Sequence, residues 1–98
     1  MQIQKAKDNT KLTVSVSGKV DTTTAPELEK EIIESIDGIT ELALDLKEML
    51  YISSAGLRVL LKLEKTMKAQ GEMKLINVSL DVMEILDMTG FSDILKIE

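Results

Sequence analysis

The sequence predicts an α/β fold: a mixed β-sheet that opens with an N-terminal hairpin and carries α-helices packed against it. Three observations support this. The first residues alternate apolar with polar side chains, the period of a strand with one buried face. Beyond them, short apolar runs alternate with stretches whose apolar residues recur at helical spacing, and strands separated by helices pair in parallel through right-handed crossovers. The length of 98 residues leaves room for one hydrophobic core, so residues 1–98 are read as one domain.

In chain order, Ile3 and the run Leu12-Thr13-Val14-Ser15-Val16-Ser17 form the hairpin, with Asp8-Asn9 at its turn. After Gly18, the segment Asp21-Thr22-Thr23-Thr24-Ala25-Pro26-Glu27 reads as a loop leading into a helix. Thr24 is the expected N-cap, Glu27 stands at capping-box spacing, and Pro26 falls in a first turn whose amides have no helical partner. Leu28, Ile32 and Ile36 recur on one face, and Asp37-Gly38 is the expected end. Leu42 to Leu46 is apolar enough for an inner strand. Tyr51 to Leu57 then passes from loop into a long helix, whose apolar face of Leu57, Leu60, Leu61 and Met67 continues until Gly71 stops it. Met73 to Val78 is the next strand. Ser79 caps a third helix with Asp81 in its first turn and Val82, Ile85 and Leu86 at helical spacing, ending at Thr89-Gly90. Ile94 to Ile97 is expected to form a last short strand.

Composition excludes several kinds of chemistry. With no Cys and no His, the chain lacks the ligands of ordinary zinc, haem and iron-sulfur sites. It also lacks the imidazole base of Ser-His-Asp and Cys-His enzymes. We therefore expect no enzyme, no catalytic residues, no cofactor and no metal. The formal charge of −5 opposes contact with phosphate backbones, and the lysines are interleaved with glutamates rather than gathered in a patch, so no direct nucleic-acid partner is expected. No apolar run approaches the roughly 20 residues of a membrane span, and Met1-Gln2-Ile3-Gln4-Lys5 lacks a secretory h-region. A cytoplasmic location without membrane association is the expectation.

One stretch offers site chemistry. Ser53 and Ser54 stand where the second helix begins, so free amides and the positive end of the helix dipole would stabilise a phosphate attached there. Serine is among the commonest N-caps and needs no function beyond satisfying an orphan amide, which is the reading that local chemistry alone favours. Ala55 and Gly56 leave room for another protein to approach, and Gly56 serves equally well to let the helix pack closely on the sheet.

Over nearly its full length the chain resembles the STAS domains of bacterial anti-sigma-factor antagonists. The likeness rests on Gly18-Lys19-Val20-Asp21-Thr22-Thr23-Thr24-Ala25, on Ile52-Ser53-Ser54-Ala55-Gly56-Leu57 with Asp45-Leu46 upstream and Val59-Leu60-Leu61 downstream, and on Asp87-Met88-Thr89-Gly90-Phe91. The resemblance implies an antagonist that binds an anti-sigma factor which is also a serine kinase, and so frees a sigma factor. It further implies release when that kinase phosphorylates a serine, and restoration by a PPM-type serine phosphatase. Ser54 aligns with the acceptor. Ser53, a competing hydroxyl, stands where many members have aspartate. By the same resemblance the partner-binding residues are Asp21, Thr22 and Thr23 in the first loop, and Ser53, Ser54, Ala55, Gly56, Leu57 and Arg58 in the second. Arg58 replaces a glycine of several members and reads as a solvated cation, with a phosphate or Asp21 as its other possible partners. Two alternatives stand beside this switch. One is a constitutive scaffold in a signalling assembly or beside a transporter. The other is a small-ligand domain, disfavoured because the chain has no phosphate-binding loop and few aromatic residues.

Overall fold

The computed structural model describes residues 1–98. Strands β1 (Gln2–Asp8) and β2 (Lys11–Val20) form the antiparallel hairpin, in register from Gln2↔Ser17 to Asp8↔Lys11. Its turn uses Asn9 at φ 56°, a left-handed conformation that asparagine tolerates. Leu12, Val14 and Val16 face the core, while Thr13, Ser15 and Ser17 lie half-buried on the other face. The two-residue period of the sequence is thereby converted into one apolar and one polar side of the sheet.

Helix α1 (Ala25–Ile33) docks through the fully buried Leu28 and Ile32. Each such side chain contributes about 1.5–3 kcal/mol relative to exposure, more than a cap supplies. Two expectations about α1 are corrected. Thr24 makes no side-chain cap, and its hydroxyl turns back into the preceding loop. The helix also ends at Ile33 rather than at Asp37-Gly38, because the Ser35 hydroxyl donates to the Glu31 carbonyl at 2.8 Å and the chain tightens into an Ile32–Ser35 turn. Ile36 still reaches the core from that turn.

Strand β3 (Glu41–Asp45) lies between β2 and β5 (Glu72–Ile76), parallel to both. Beyond Asp45 the chain turns through residues 46–48 and pairs again with the far end of β2 as β4 (Met49–Ile52), also parallel, with a bulge between Gly18 and Lys19. The strand corrects the expectation of a loop at Tyr51-Ile52. Its burial runs buried, exposed, exposed, buried, which lacks the alternation that marks a strand. Helix α2 (Ser54–Lys68) returns the chain to β5. Gly71 then passes against α1's exit loop so closely that a Cβ there would lie 1.9 Å from the Thr40 carbonyl oxygen. Asn77, at φ 55°, ends β5 sooner than expected. Helix α3 (Leu80–Thr89) starts at its Ser79 cap, which accepts from the Val82 amide at 3.3 Å, and stops at Gly90 in the left-handed region.

The last predicted strand is reduced to a single bridge. Residues Phe91–Asp93 form a 3-10 turn that consumes the amides of Ile94 and Leu95, and only Ile97 pairs with Leu75 on the outer edge of β5. The result is a mixed five-stranded sheet with three α-helices. No helix is long and apolar enough to cross a membrane.

Candidate functional site

Strands β2, β3, β4 and β5 all run parallel, so their carboxyl ends share one edge of the fold and the three helices start there. This is where open α/β sheets place their sites. Val20 and Ile52, the last residues of β2 and β4, pair directly. The Ser53 amide then donates to the Val20 carbonyl at 2.8 Å, fastening the second loop to the first. The N-termini of α1 and α2 are thus brought side by side by one backbone pairing, and both present the positive ends of their dipoles.

The two serines have different surroundings. Ser53 is the N-cap of α2: its backbone is extended and its Oγ accepts from the Gly56 amide at 3.4 Å, while its carbonyl accepts from the Leu57 amide at 2.9 Å. Ser54 is the first helical residue, is exposed, and its hydroxyl makes no hydrogen bond within the protein. The amides of Ser54 and Ala55 have no protein acceptor, as expected of a first turn. No acidic residue occupies that turn.

Asp21 organises the first loop. Its Oδ1 accepts from the amides of Thr23 at 2.9 Å and Thr24 at 3.0 Å. The Thr24 Oγ1 accepts from the Asp21 amide at 2.9 Å and lies 3.1 Å from the Lys19 carbonyl oxygen. The Thr24 amide, ahead of the other donors, holds the Asp21 carboxyl below its ordinary pKa of 3.8. Asp21 thus secures the turn that leads into α1, and Thr22 and Thr23 are left exposed.

Of the remaining predicted site residues, Arg58 is exposed and Ala55 is half-buried, whereas Gly56 and Leu57 face inward. A Cβ on Gly56 would lie 2.6 Å from Ile52 Cγ1 and 2.9 Å from Val20 Cγ1. The glycine therefore lets the first turn of α2 rest on the ends of β2 and β4. The sequence reading did not single out Leu50, and it gave Tyr51 no surface role. These residues are 67% and 45% exposed, four and three positions before Ser54. The available signal is the run of four large side chains, Met49 to Ile52, between the polar residues Lys47-Glu48 and Ser53-Ser54. A concavity of the surface lies on the sheet around Gln4, Ser15, Ser17 and Asp45, and it is also lined by Lys47, Glu48 and Leu50. None of the residues Ser53 to Leu57 lines that concavity, and an exposed hydroxyl outside it suits a macromolecule rather than an enclosed small ligand.

Comparison with known proteins agrees with this architecture. Residues 2–98 match the STAS domain family. The anti-sigma-B factor antagonist of Bacillus subtilis is 33% identical over 85 residues, covering 86% of this chain and 78% of the relative. That of Listeria monocytogenes is 32% identical over 97 residues, covering 96% and 84%. Among solved structures, the anti-sigma factor antagonist SpoIIAA in its unphosphorylated form superimposes with a TM-score of 0.84 over 99% of this chain and 88% of that one, at 16% identity. The phosphorylated form of this Bacillus cell fate determinant gives 0.76 over 99% and 91%, at 15% identity. At such identities these superpositions establish the fold alone. The sequence match over almost the whole chain goes further, and the chain belongs to the STAS domain family.

Proposed function

We propose that this chain is an anti-sigma-factor antagonist, a binding switch whose off state is phosphorylation of Ser54. Unmodified, it docks through the carboxyl end of the sheet onto an anti-sigma factor with serine-kinase activity and frees a sigma factor. In the docked complex the Ser54 Oγ attacks the γ-phosphorus of kinase-bound ATP: the new O–P bond forms, the bond to ADP breaks, and the hydroxyl proton passes to a base of the kinase. The chain itself is the substrate. A PPM-type phosphatase hydrolyses the phosphoester and restores binding.

One observation carries the choice of residue. The Ser54 hydroxyl is exposed and unengaged, while the Ser53 hydroxyl is held as the cap of the same helix. The names of the relatives as anti-sigma-factor antagonists, and the existence of SpoIIAA in a phosphorylated form, support the reading. A phosphate adds about −1.5 to −2 charges to a surface a partner must approach. A loss of about 3 kcal/mol in binding suffices for a change of roughly two orders of magnitude in Kd.

The test is peptide mass spectrometry after incubation with ATP and a candidate anti-sigma-factor kinase, on wild type, Ser54→Ala and Ser53→Ala. A single phosphate lost only in Ser54→Ala, with weakened binding of the modified chain, is the expected result. Tight binding to an active kinase with no phosphate transferred would instead make the chain a constitutive scaffold.

A further inference from the structure

Arg58 is the only arginine of the chain, and it is exposed one helical turn after Ser54. All the ion pairs of the structure use lysines: Lys5 with Glu31, Lys62 with Glu29, Lys74 with Glu98, and Lys96 with Glu72 and Glu98. Arg58 takes part in none. The positions three and four residues away on its own helix are Ala55, Ser54, Leu61 and Lys62, so no carboxylate of α2 is within reach and the nearest charge on that face is of the same sign. The acid facing α2 from α1, Glu29, is taken by Lys62 at 3.2 Å. Asp21, whose Oδ1 accepts from the loop amides, forms no ion pair with Arg58.

The spacing supplies the missing anion. Residues four apart are neighbours on a helix surface, and an acid placed N-terminal to a base is the favourable order. Helical side chains lean back over the preceding turn, a direction that brings the Arg58 guanidinium within reach of Ser54. A guanidinium pairs with phosphate oxygens in a bidentate fork.

We propose that Arg58 is the internal counter-ion of phosphorylated Ser54, an inference that rests on the function proposed above. Phosphorylation then makes two changes at one surface: it adds an anion, and it withdraws the one free arginine from the face offered to the partner. The phosphate is held against the first turn of α2, where the unpaired amides of Ser54 and Ala55 also lie. The first turn is thereby stiffened in the phosphorylated state.

The test uses the whole chain with phosphoserine placed at position 54 by genetic encoding, so that it does not depend on any kinase. With one arginine, the protein gives one Nε–H signal in nitrogen-15 NMR. The pair predicts that this signal moves and exchanges more slowly with water on phosphorylation. It also predicts that phosphorylation raises the thermal midpoint of the wild type by about 2–4 °C relative to Arg58→Gln, the size expected of a helix-surface charge pair in a domain this small. Arg58→Gln should leave the midpoint of the unmodified protein unchanged. Arg58→Lys should keep part of the shift, because lysine retains the charge without the fork. An Nε–H signal indifferent to the phosphate, or equal midpoint shifts in wild type and Arg58→Gln, would overturn the pair while leaving the switch intact. Absence of phosphate at Ser54 in the kinase experiment would remove the switch whatever the NMR result.

Discussion

The two ends of the parallel strands are built on opposite plans. At the amino end the connections are tied backbone to backbone: the Thr10 carbonyl accepts from the amides of Thr40 and Glu41, and the Thr40 carbonyl accepts from the Glu72 amide. Gln70 Nε2 adds bonds to the carbonyls of Ile36 at 2.7 Å and Ile39 at 2.6 Å. At the carboxyl end the first-turn amides of α2 are open, Ser54 is unengaged, and Leu50, Tyr51 and Leu80 stand exposed. Backbone groups satisfied within the chain have nothing left to offer a partner, whereas open donors beside exposed apolar side chains do. One end therefore holds the fold and the other is free to act.

This contrast predicts a separation of effects. The largest stability loss should come from the closed end. In Gly71→Ala the new methyl meets the Thr40 carbonyl, a backbone atom that cannot step aside, and we expect a loss of about 3 kcal/mol or more in denaturant unfolding. Phosphate acceptance by the folded fraction should be untouched. A Gly71→Ala protein as stable as wild type would show that the amino end is not closed in the way described.

Gly56→Ala places its methyl against the Ile52 and Val20 side chains, which are buried but can shift slightly. About 1–3 kcal/mol should be lost, and here phosphorylation should slow as well, because α2 must lift from the strand ends that position Ser54. Ser53→Ala removes the α2 cap and should cost about 0.5–1 kcal/mol, towards the low end because its bond is long. Ser53→Asp should restore that stability, since aspartate caps equally well.

The smallest effect is a pH dependence. The folded Asp21 carboxyl titrates below its ordinary value, so its stabilising contribution is fully present above the pKa of the unfolded chain and is lost as pH falls through the lower folded value. Asp21→Asn should lower stability slightly at neutral pH, where the ionised carboxylate contributes, and the two proteins should converge as pH falls through the folded value, which flattens the acid limb. An acid limb identical to wild type would mean that the loop amides do not hold the carboxylate.

Most of this architecture was legible because it rests on local pattern. The hairpin, α2 and α3 follow from alternation, helical spacing, Ser79 and Gly90, and the helix start at Ser53-Ser54 from its place before an apolar helical run, while the family resemblance raises that start above a plain cap. The misreadings have a common cause. Thr24 has the chemistry of a cap, yet its hydroxyl is engaged by the Asp21 amide and the Lys19 carbonyl of the preceding loop. Ser35 pulls α1 closed before Ile36, although Ile36 keeps the apolar spacing. Met49–Ile52 is a strand only because β2 extends past Gly18 and offers an edge. Ile94–Ile97 fails as a strand because the turn at Phe91–Asp93 uses the amides first. In each case competing hydrogen-bond partners decided the outcome, and single-residue propensity does not rank such partners.

Sequence by itself determined the class of fold, the single core and the helix start that carries Ser53 and Ser54, because periodicity and capping are properties of neighbouring residues. Tertiary structure alone decided which serine is spoken for, why Gly56 must be small, and that Arg58 has no partner. Those facts depend on the Val20–Ile52 pairing and on which carboxylates other groups already hold, and contacts between residues far apart in the chain leave no local trace in it.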